Sequence, residues 1–143
     1  MGSMHVERAS LEDLRDIWLV DEQVIGHTER RRRLMDAVEK RNCLVAKEGF
    51  TVVGYAVREY TFFGYPFIAM MLVHPDYRDK NVIQKVMAYI EMTTPEDRIF
   101  TAIPENNTVD AATYEALGFE RSGEVYNVDE NGITRIIYMK RLN

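Results

Sequence analysis

The stretch VHPDYRDKNVIQKVMAYIE, residues 73–91, decides the fold. It follows directly on an apolar run of strand length, FIAMMLV over residues 67–73, which predicts a strand buried on both faces. Pro75 ends that strand because proline cannot donate to a sheet ladder. Ile83, Val86, Met87 and Ile90 then follow helical spacing and predict a helix over residues 81–91. With a second apolar run at residues 99–103, the pattern predicts a strand, a charged loop, a helix and another strand.

On the N-terminal side, residues 4–9 predict a short strand. Ser10 and Asp13 have the spacing of a capping box and predict the start of a helix, and Thr28 is a plausible cap for a second one. Residues 44–47 and 51–60 flank Glu48-Gly49 and predict a hairpin. Gly64-Tyr65-Pro66 predicts the next turn.

On the C-terminal side, residues 107–117 predict a helix that stops at Gly118, a residue suited to a left-handed C-cap. Residues 119–126 and 133–141 predict a last hairpin. The predicted order is therefore β-α-α-β-β-β-α-β-α-β-β, which is an α+β domain around one mixed sheet.

Composition limits the functional class. The chain has 143 residues with a net charge of -5, which argues against general nucleic-acid binding, and no apolar run approaches the length of a membrane span. Residues 1–3 resemble a cloning remnant, so we expect a single domain over residues 4–143. The single Cys43 cannot form an internal disulfide, and a cytoplasmic location is the expectation. The three histidines and one cysteine show no metal-ligand spacing, so no metal site is predicted.

The charged loop has two interpretations. A helix N-terminus has unpaired amides and a partial positive charge, and Arg78 and Lys80 would add charge-assisted bonds to a phosphate. Asn81 could take a left-handed or turn conformation, or cap the helix. In the simpler interpretation Asn81 caps an ordinary helix and the neighbouring charges are solvated.

Two motifs decide between these interpretations. Val73, Pro75, Tyr77 and Arg78 match the acyl-CoA-binding motif of the GNAT family of N-acetyltransferases, and the sequence NTVDAATYEALGFERSG resembles the family's second motif. In that second motif the matching positions are Asn107, Tyr114, Leu117, Gly118 and Phe119. The resemblance extends over residues 4–142 and implies a GNAT-like mixed central sheet of about seven strands flanked by about four helices.

The resemblance also implies a site for acetyl-CoA as co-substrate. The thioester would lie in a notch between the strands at residues 67–73 and 99–103. Backbone groups of Met71, Leu72 and Val73 would pair with the pantetheine arm and polarise the thioester carbonyl. The pyrophosphate would take loop groups of Arg78, Asp79, Lys80, Asn81, Val82, Ile83 and Gln84. Asn107 would bind the pantetheine or nearby backbone.

Two positions depart from the family pattern, which has small residues where this chain has Asn81 and Ile83. Glycine at these positions lets the backbone approach the pyrophosphate closely. Ile83 also fits the apolar stripe of the predicted helix. Its side chain therefore either turns into the core and leaves its amide free, or narrows the pyrophosphate site.

By resemblance, Tyr114 is the candidate general acid for the departing CoA thiolate, since a phenol with a pKa of about 10 is protonated at neutral pH. The alternative is that Tyr114 is only a core aromatic. Candidates for the general base are His74, Glu59 and Glu22, and a water chain or an already neutral amine would serve as well. None of these is preferred.

The acceptor is expected to be a small-molecule or peptide amine. Its pocket would be lined by the loop at residues 20–28, the third and fourth strands and the last hairpin. These regions contain aromatic residues, namely Trp18, Tyr60, Phe62, Phe63, Tyr65 and Tyr126. The basic run ERRRR at residues 29–33 is expected to be a solvated helix face. The resemblance also allows a homodimer, and the alternative function is a GNAT-fold module that binds CoA weakly and is not catalytic.

Overall fold

In the computed structural model, which describes residues 3–142, seven strands and four α-helices follow the predicted order. The strands are β1 (Met4–Arg8), β2 (Cys43–Glu48), β3 (Thr51–Phe62), β4 (Tyr65–Val73), β5 (Arg98–Pro104), β6 (Glu120–Val125) and β7 (Arg135–Arg141). The helices are α1 (Leu14–Ile25), α2 (Arg31–Glu39), α3 (Val82–Thr93) and α4 (Thr108–Ala116), and short 3-10 turns occupy Leu11–Asp13 and Pro75–Tyr77.

The strands form one mixed sheet in the order β1-β2-β3-β4-β5-β7-β6. β4 and β5 are parallel and pair at Phe67 with Phe100 and at Ile68 with Thr101. The β1–β2, β2–β3, β5–β7 and β6–β7 pairs are antiparallel. The predicted α+β fold with a seven-stranded mixed sheet and four helices is confirmed.

The chain divides into two compact units. The first contains the residues up to Arg58 together with Met70–Thr93, and the second contains Glu59–Ala69 and the residues from Thr94 onward. β4 therefore contributes its first half to one unit and its second half to the other. The expectation of a single domain over residues 4–143 stays a prediction.

In the first unit, β2 is buried from Cys43 to Ala46, and each flanking helix turns one apolar face inward. The residues buried on α1 and α2 include Leu14, Ile17, Val20, Leu34 and Val38. The predicted capping box is present, because the Ser10 amide donates to the Asp13 carboxylate at 2.9 Å. The N-cap of α2 is Arg30 and not the predicted Thr28, whose carbonyl instead accepts from the Arg31 amide.

β4 corrects the prediction of a strand buried on both faces. Pro66, Ile68 and Met70 are buried, whereas Phe67 and Ala69 between them are only partly covered. The next buried residue is Val73, three positions after Met70, so the alternation shifts by one residue as an extra residue in a strand would cause. The other face of β4 is partly covered and not fully exposed, so it also carries apolar residues and the run is continuously apolar.

The turn before β4 also differs from the prediction. Phe63 and Gly64 both have positive φ, as a two-residue type I′ hairpin requires, and Tyr65 and Pro66 already belong to β4. In the second unit, Ile99, Thr101 and Ile103 form the buried side of β5, and Gly118 has the predicted left-handed conformation after α4. No described helix has both the length and the apolar character needed to cross a membrane.

Candidate active site

The loop between β4 and α3 is built from consecutive tight turns in the first unit. The His74 amide donates to the Val53 carbonyl at 2.8 Å and anchors the loop to β3. The Tyr77 amide then donates to the His74 carbonyl, and the Lys80 amide donates to the Tyr77 carbonyl. The last two bonds close successive tight turns, and these turns bring the chain from His74 to Asn81.

Asn81 is left-handed, with φ of 59°. Left-handed backbone was one of the predicted alternatives, and it is the conformation that a glycine would take without strain. The first hydrogen bond of α3 runs from the Lys85 amide to the Asn81 carbonyl at 3.1 Å. Helix geometry therefore leaves the amides of Val82, Ile83 and Gln84 without an acceptor inside the helix. Three donors at a partly positive helix end suit an anion.

The core face of α3 contains Val86, Met87 and Ile90 as predicted, but its first member is Val82 and not Ile83. Val82 is 1% exposed and shares the buried face with Val86, Met87 and Ile90, whereas Ile83 is only partly covered. Gly54 explains this choice, because a Cβ at that position would lie 3.2 Å from Val82 Cγ1 and 2.9 Å from the Leu72 carbonyl oxygen. Glycine in β3 thus lets the first turn of α3 approach the sheet. Of the two outcomes open for Ile83, turning fully into the core is wrong.

The other predicted loop residues are exposed or half-exposed. Arg78, Asp79, Lys80, Asn81 and Gln84 are exposed. Lys80 Nζ lies 5.6 Å from the centre of the Tyr77 ring, a cation–π contact. On β4, Met71 and Leu72 are partly covered and Val73 is buried. The loop therefore combines two accessible cations with accessible backbone donors.

Tyr114 lies on α4 in the second unit and is 8% exposed. Its ring meets the Phe119 ring edge-on at 5.1 Å. Burial raises the pKa of Tyr114 well above its usual value, and nearby Asp110 adds to this, while a hydrogen bond with Thr101 opposes it. Thr101 Oγ1 donates its proton to the Ile68 carbonyl at 2.8 Å, so in the neutral state the Tyr114 hydroxyl donates to Thr101.

Asn107 is the N-cap of α4 and uses both ends of its side chain on Asp110. Its Oδ1 accepts from the Asp110 amide at 3.0 Å, and its Nδ2 donates to the Asp110 carboxylate at 2.9 Å. A capping role alone accounts for this asparagine. Its predicted contact with pantetheine stays a prediction.

Two of the three candidate bases are occupied. His74 Nδ1 accepts from the Asp76 amide at 3.1 Å, so the proton of the neutral ring is on Nε2 and no lone pair is available. Glu22 holds Arg31 through both carboxylate oxygens, and these bonds lower the pKa of Glu22. The carboxylate of Glu59 accepts a longer hydrogen bond, from Thr61 Oγ1 at 3.2 Å, and is the least engaged of the three candidates.

The predicted acceptor aromatics separate into different environments. In the second unit, Phe62 contacts Phe63 at 5.0 Å and also meets two rings that the sequence did not single out, Phe67 and Phe100. Tyr65 joins the same cluster through Phe100 at 5.9 Å. The alternating aromatic positions on β4 were the signal that could have identified Phe67. Trp18 and Tyr126 make other contacts, with Arg31 and Glu124 respectively.

Two of the four arginines in the ERRRR run are structural, which corrects the prediction of a solvated face. Arg30 donates to the Asp21 carboxylate at 2.9 Å and to the Tyr55 hydroxyl at 2.8 Å, and Tyr55 donates to Asp21 at 2.7 Å. Asp21 and Tyr55 are almost completely buried. Arg31 pairs with Glu22 and stacks on Trp18. Only Arg32 and Arg33 are free of these contacts and exposed. Within residues 3–142 no group of three or more potential ligands could hold a metal ion.

Comparison with known proteins shows the family and the fold of this chain. A model of the acetyltransferase (GNAT) family matches residues 11–119. The structure is similar to that of a GNAT-family acetyltransferase from Bacillus cereus, with 30% identity, 99% of each chain covered and a TM-score of 0.89. It is also similar to the ribosomal-protein-S18-alanine N-acetyltransferase from Escherichia coli (13% identity, 99% and 95% covered, TM-score 0.79). A third neighbour is yncA from Salmonella typhimurium, solved with its cofactor acetyl-CoA (19% identity, 98% and 94% covered, TM-score 0.74). Among curated proteins, sequence comparison found no match.

Proposed function

Because this chain belongs to the GNAT acetyltransferase family, we propose that it transfers an acetyl group from acetyl-CoA to an amine by direct attack on the thioester. The acceptor is a small molecule or the amino group of a peptide. The observation that carries the proposal is the start of α3, where left-handed Asn81 precedes three amides without helical acceptors.

The β4–α3 loop would hold the pyrophosphate. The amides of Val82, Ile83 and Gln84 would donate to its oxygens, and Arg78 and Lys80 would balance its charge. Lys80 would leave the face of Tyr77, a contact worth about 0.5–1 kcal/mol at an exposed site. A charge-assisted hydrogen bond is worth about 1.5–3 kcal/mol, so the exchange favours the ligand.

The pantetheine arm would pair with backbone groups of Met71, Leu72 and Val73 as an added strand does. An amide in this segment would polarise the thioester carbonyl in the manner of an oxyanion hole. Asn107 would contact the arm only by exchanging one of its bonds to Asp110. Ile83, which is partly exposed, would narrow the pyrophosphate site and reduce the affinity for CoA.

Tyr114 would act at the departing sulfur. The amine nitrogen forms a bond to the carbonyl carbon, the carbon–sulfur bond breaks, and the thiolate takes a proton. For Tyr114 to supply that proton, its hydroxyl must leave Thr101 and turn to the sulfur. Its raised pKa keeps the phenol protonated at any working pH, but it also makes the hydroxyl a weak acid. The proposed role is therefore a hydrogen bond that strengthens as charge develops on sulfur, with the proton following. The proton that the nitrogen loses as the amide forms then restores the phenol.

The proton of the amine would pass to Glu59, whose carboxylate is the least engaged of the candidate bases, or the amine would bind in its neutral form. The substitution Glu59→Gln separates these possibilities. With Glu59 as base, the pH profile of kcat loses its lower limb. With a neutral amine, the profile follows the pKa of the acceptor and the variant does not change it.

Thermal stability measured with acetyl-CoA is the first test. A ligand at 100 times its Kd adds about 2.7 kcal/mol, which for a chain of this length raises Tm by about 8–10 °C. Arg78→Ala should reduce this shift, whereas Arg32→Ala, which removes an equally exposed arginine on α2, should leave it unchanged. No shift at millimolar acetyl-CoA would contradict the proposal.

The second test is release of the CoA thiol in a screen of amine acceptors. Tyr114→Phe keeps the ring against Phe119 and removes only the hydroxyl. We expect kcat to fall by about 10²- to 10⁴-fold with little change in the Kd for acetyl-CoA, since general acid catalysis contributes that much. An unchanged kcat would assign Tyr114 to the core alone.

A second candidate function is a GNAT-fold module that binds CoA weakly and does not catalyse transfer. Two observations favour it, namely the partly exposed Ile83 and the engagement of both ends of the Asn107 side chain. It predicts little stabilisation by CoA and no thiol release with any amine. Restoring the small residue by Ile83→Gly would then increase the stabilisation by CoA.

A further inference from the structure

Thr101 is the polar residue on the buried side of β5. Its neighbours on that side, Ile99 and Ile103, are apolar, and Thr101 itself is 3% exposed. Valine has nearly the same shape and would fill this position without burying a hydroxyl, which costs free energy unless the group is hydrogen-bonded. The hydroxyl has two partners in the second unit. Oγ1 donates to the Ile68 carbonyl at 2.8 Å, and it also shares a hydrogen bond with the Tyr114 hydroxyl.

The Tyr114 ring is held in place, so its hydroxyl oxygen has one position. The residue is buried, the ring meets the Phe119 ring edge-on at 5.1 Å, and the Phe119 amide donates to the Tyr114 carbonyl at 3.0 Å. The hydrogen of a hydroxyl rotates about the C–O bond while the oxygen stays where it is. What changes at Tyr114 is therefore the direction of the O–H bond, and Thr101 is the side chain that sets this direction.

We propose that Thr101 is a positioning residue for the Tyr114 proton, an inference that rests on the proposed role of Tyr114 in acetyl transfer. Before the reaction, the Thr101 proton lies on the Ile68 carbonyl, so Oγ1 presents only lone pairs and Tyr114 donates to it. When Tyr114 has turned and passed its proton to the departing sulfur, the Thr101 hydroxyl rotates and donates to the phenolate oxygen. The proton lost by the nitrogen then restores the phenol, and Thr101 returns to Ile68.

The rotation of Thr101 offsets the weak acidity of a buried phenol. Burial raises the pKa of Tyr114 because it penalises the charged phenolate, and the hydrogen bond with Thr101 acts in the opposite direction. A hydroxyl that only accepts a proton does not stabilise a phenolate, whereas a hydroxyl that donates to it does. The contact with Ile68 therefore describes the resting state, and the donating state is the one that helps Tyr114 release its proton. Valine at position 101 would leave the phenolate without this donor.

Thr101→Val and Thr101→Ser are the matched pair of variants, because valine loses the hydroxyl and serine keeps it. In the thiol-release assay, Thr101→Val should lower kcat by about 10- to 100-fold, the effect of one hydrogen bond to a charged oxygen, with little change in the Kd for acetyl-CoA. Thr101→Ser should recover most of this loss. In a Tyr114→Phe background, Thr101→Val should have no further effect, since it acts only through the Tyr114 hydroxyl.

The outcomes separate the two roles. An unchanged kcat in Tyr114→Phe would refute the role of Tyr114 and that of Thr101 with it. A kcat that falls in Tyr114→Phe but not in Thr101→Val would refute the role of Thr101 alone. Equal losses in the valine and serine variants, or a loss of full size in the Tyr114→Phe background, would assign Thr101 to packing and overturn the proposal.

NMR provides a second measurement that needs neither substrate nor activity. In protein whose tyrosines carry ¹³C at Cζ, the Tyr114 signal is identified by its absence from the spectrum of Tyr114→Phe. Because the shielding of Cζ responds to the hydrogen bond of the phenol oxygen, this signal should shift in Thr101→Val and keep its position in Thr101→Ser. The signals of the other tyrosines should stay in place and so report that both variants are folded. An unshifted Tyr114 signal in Thr101→Val would exclude the contact and the proposal.

Discussion

Gly54→Ala tests how the first turn of α3 is held against the sheet. The added Cβ would lie 2.9 Å from the Leu72 carbonyl oxygen and 3.2 Å from Val82 Cγ1. The first contact is closer than real Cβ atoms come to a backbone oxygen, and neither β4 nor the buried Val82 can move without shifting its own packing. Overpacking of this kind costs about 2–3 kcal/mol. The lower entropy of the unfolded alanine chain returns about 0.4–1 kcal/mol.

The expected net loss is about 1–2.5 kcal/mol, or a fall in Tm of about 3–9 °C measured by calorimetry. Gly123→Ala is the matched control, because a Cβ at Gly123 meets nothing within 4 Å. That variant should keep or slightly raise Tm. If the proposed function is correct, isothermal titration should also show weaker acetyl-CoA binding for Gly54→Ala only. Equal Tm values for the two variants would show that Gly54 does not determine how closely α3 approaches.

Four further predictions concern three other residues, Tyr55, Cys43 and Asn81. Tyr55→Phe removes the hydroxyl that joins Asp21 and Arg30, and urea denaturation should show a loss of about 1–3 kcal/mol, against under about 0.5 kcal/mol for the exposed Tyr126→Phe. Cys43 is fully buried, which raises its pKa to about 12, so Ellman's reagent should modify it only after denaturation. Because the folded pKa is raised, the contribution of Cys43 to stability is complete below about pH 9 and is lost as pH rises towards 12, which denaturation at several pH values can follow. Asn81→Gly should change the free energy of unfolding by less than about 1 kcal/mol, since glycine removes the strain of φ 59° but gains entropy in the unfolded chain, and should not weaken acetyl-CoA binding.

The element order could be predicted because its signals are local. Pro75 ends β4, Gly118 ends α4 in the left-handed conformation, and Asp13 closes the capping box, and each of these residues acts within a few positions of the chain. The loop conformation at Asn81 was among the predicted alternatives for the same reason. Residues within a few positions of each other therefore predict the position of the β4–α3 loop, where the candidate site begins.

The orientation of side chains could not be predicted, because it depends on distant residues. Ile83 and Val82 both fit a helical period with Val86 and Ile90, and Gly54, 28 positions before Val82 in the sequence, lets Val82 be the buried one. Arg30 belongs to a basic run, yet its partners Asp21 and Tyr55 come from α1 and β3. Composition describes the charge of such a run but not which of its members the fold neutralises.

Ile83 has a consequence for the rates of ligand exchange. A β-branched side chain on a helix keeps essentially one χ1 rotamer, so Ile83 is a fixed wall beside the free amides of α3 and not a movable one. A fixed wall does not control access, and a ligand that reaches the loop meets the same opening at every encounter. If the proposed function is correct, replacing Ile83 with a smaller residue should therefore change how long CoA stays bound more than how fast it arrives. Residence time, measured by stopped-flow displacement, would then distinguish this protein from relatives with a small residue at the corresponding position.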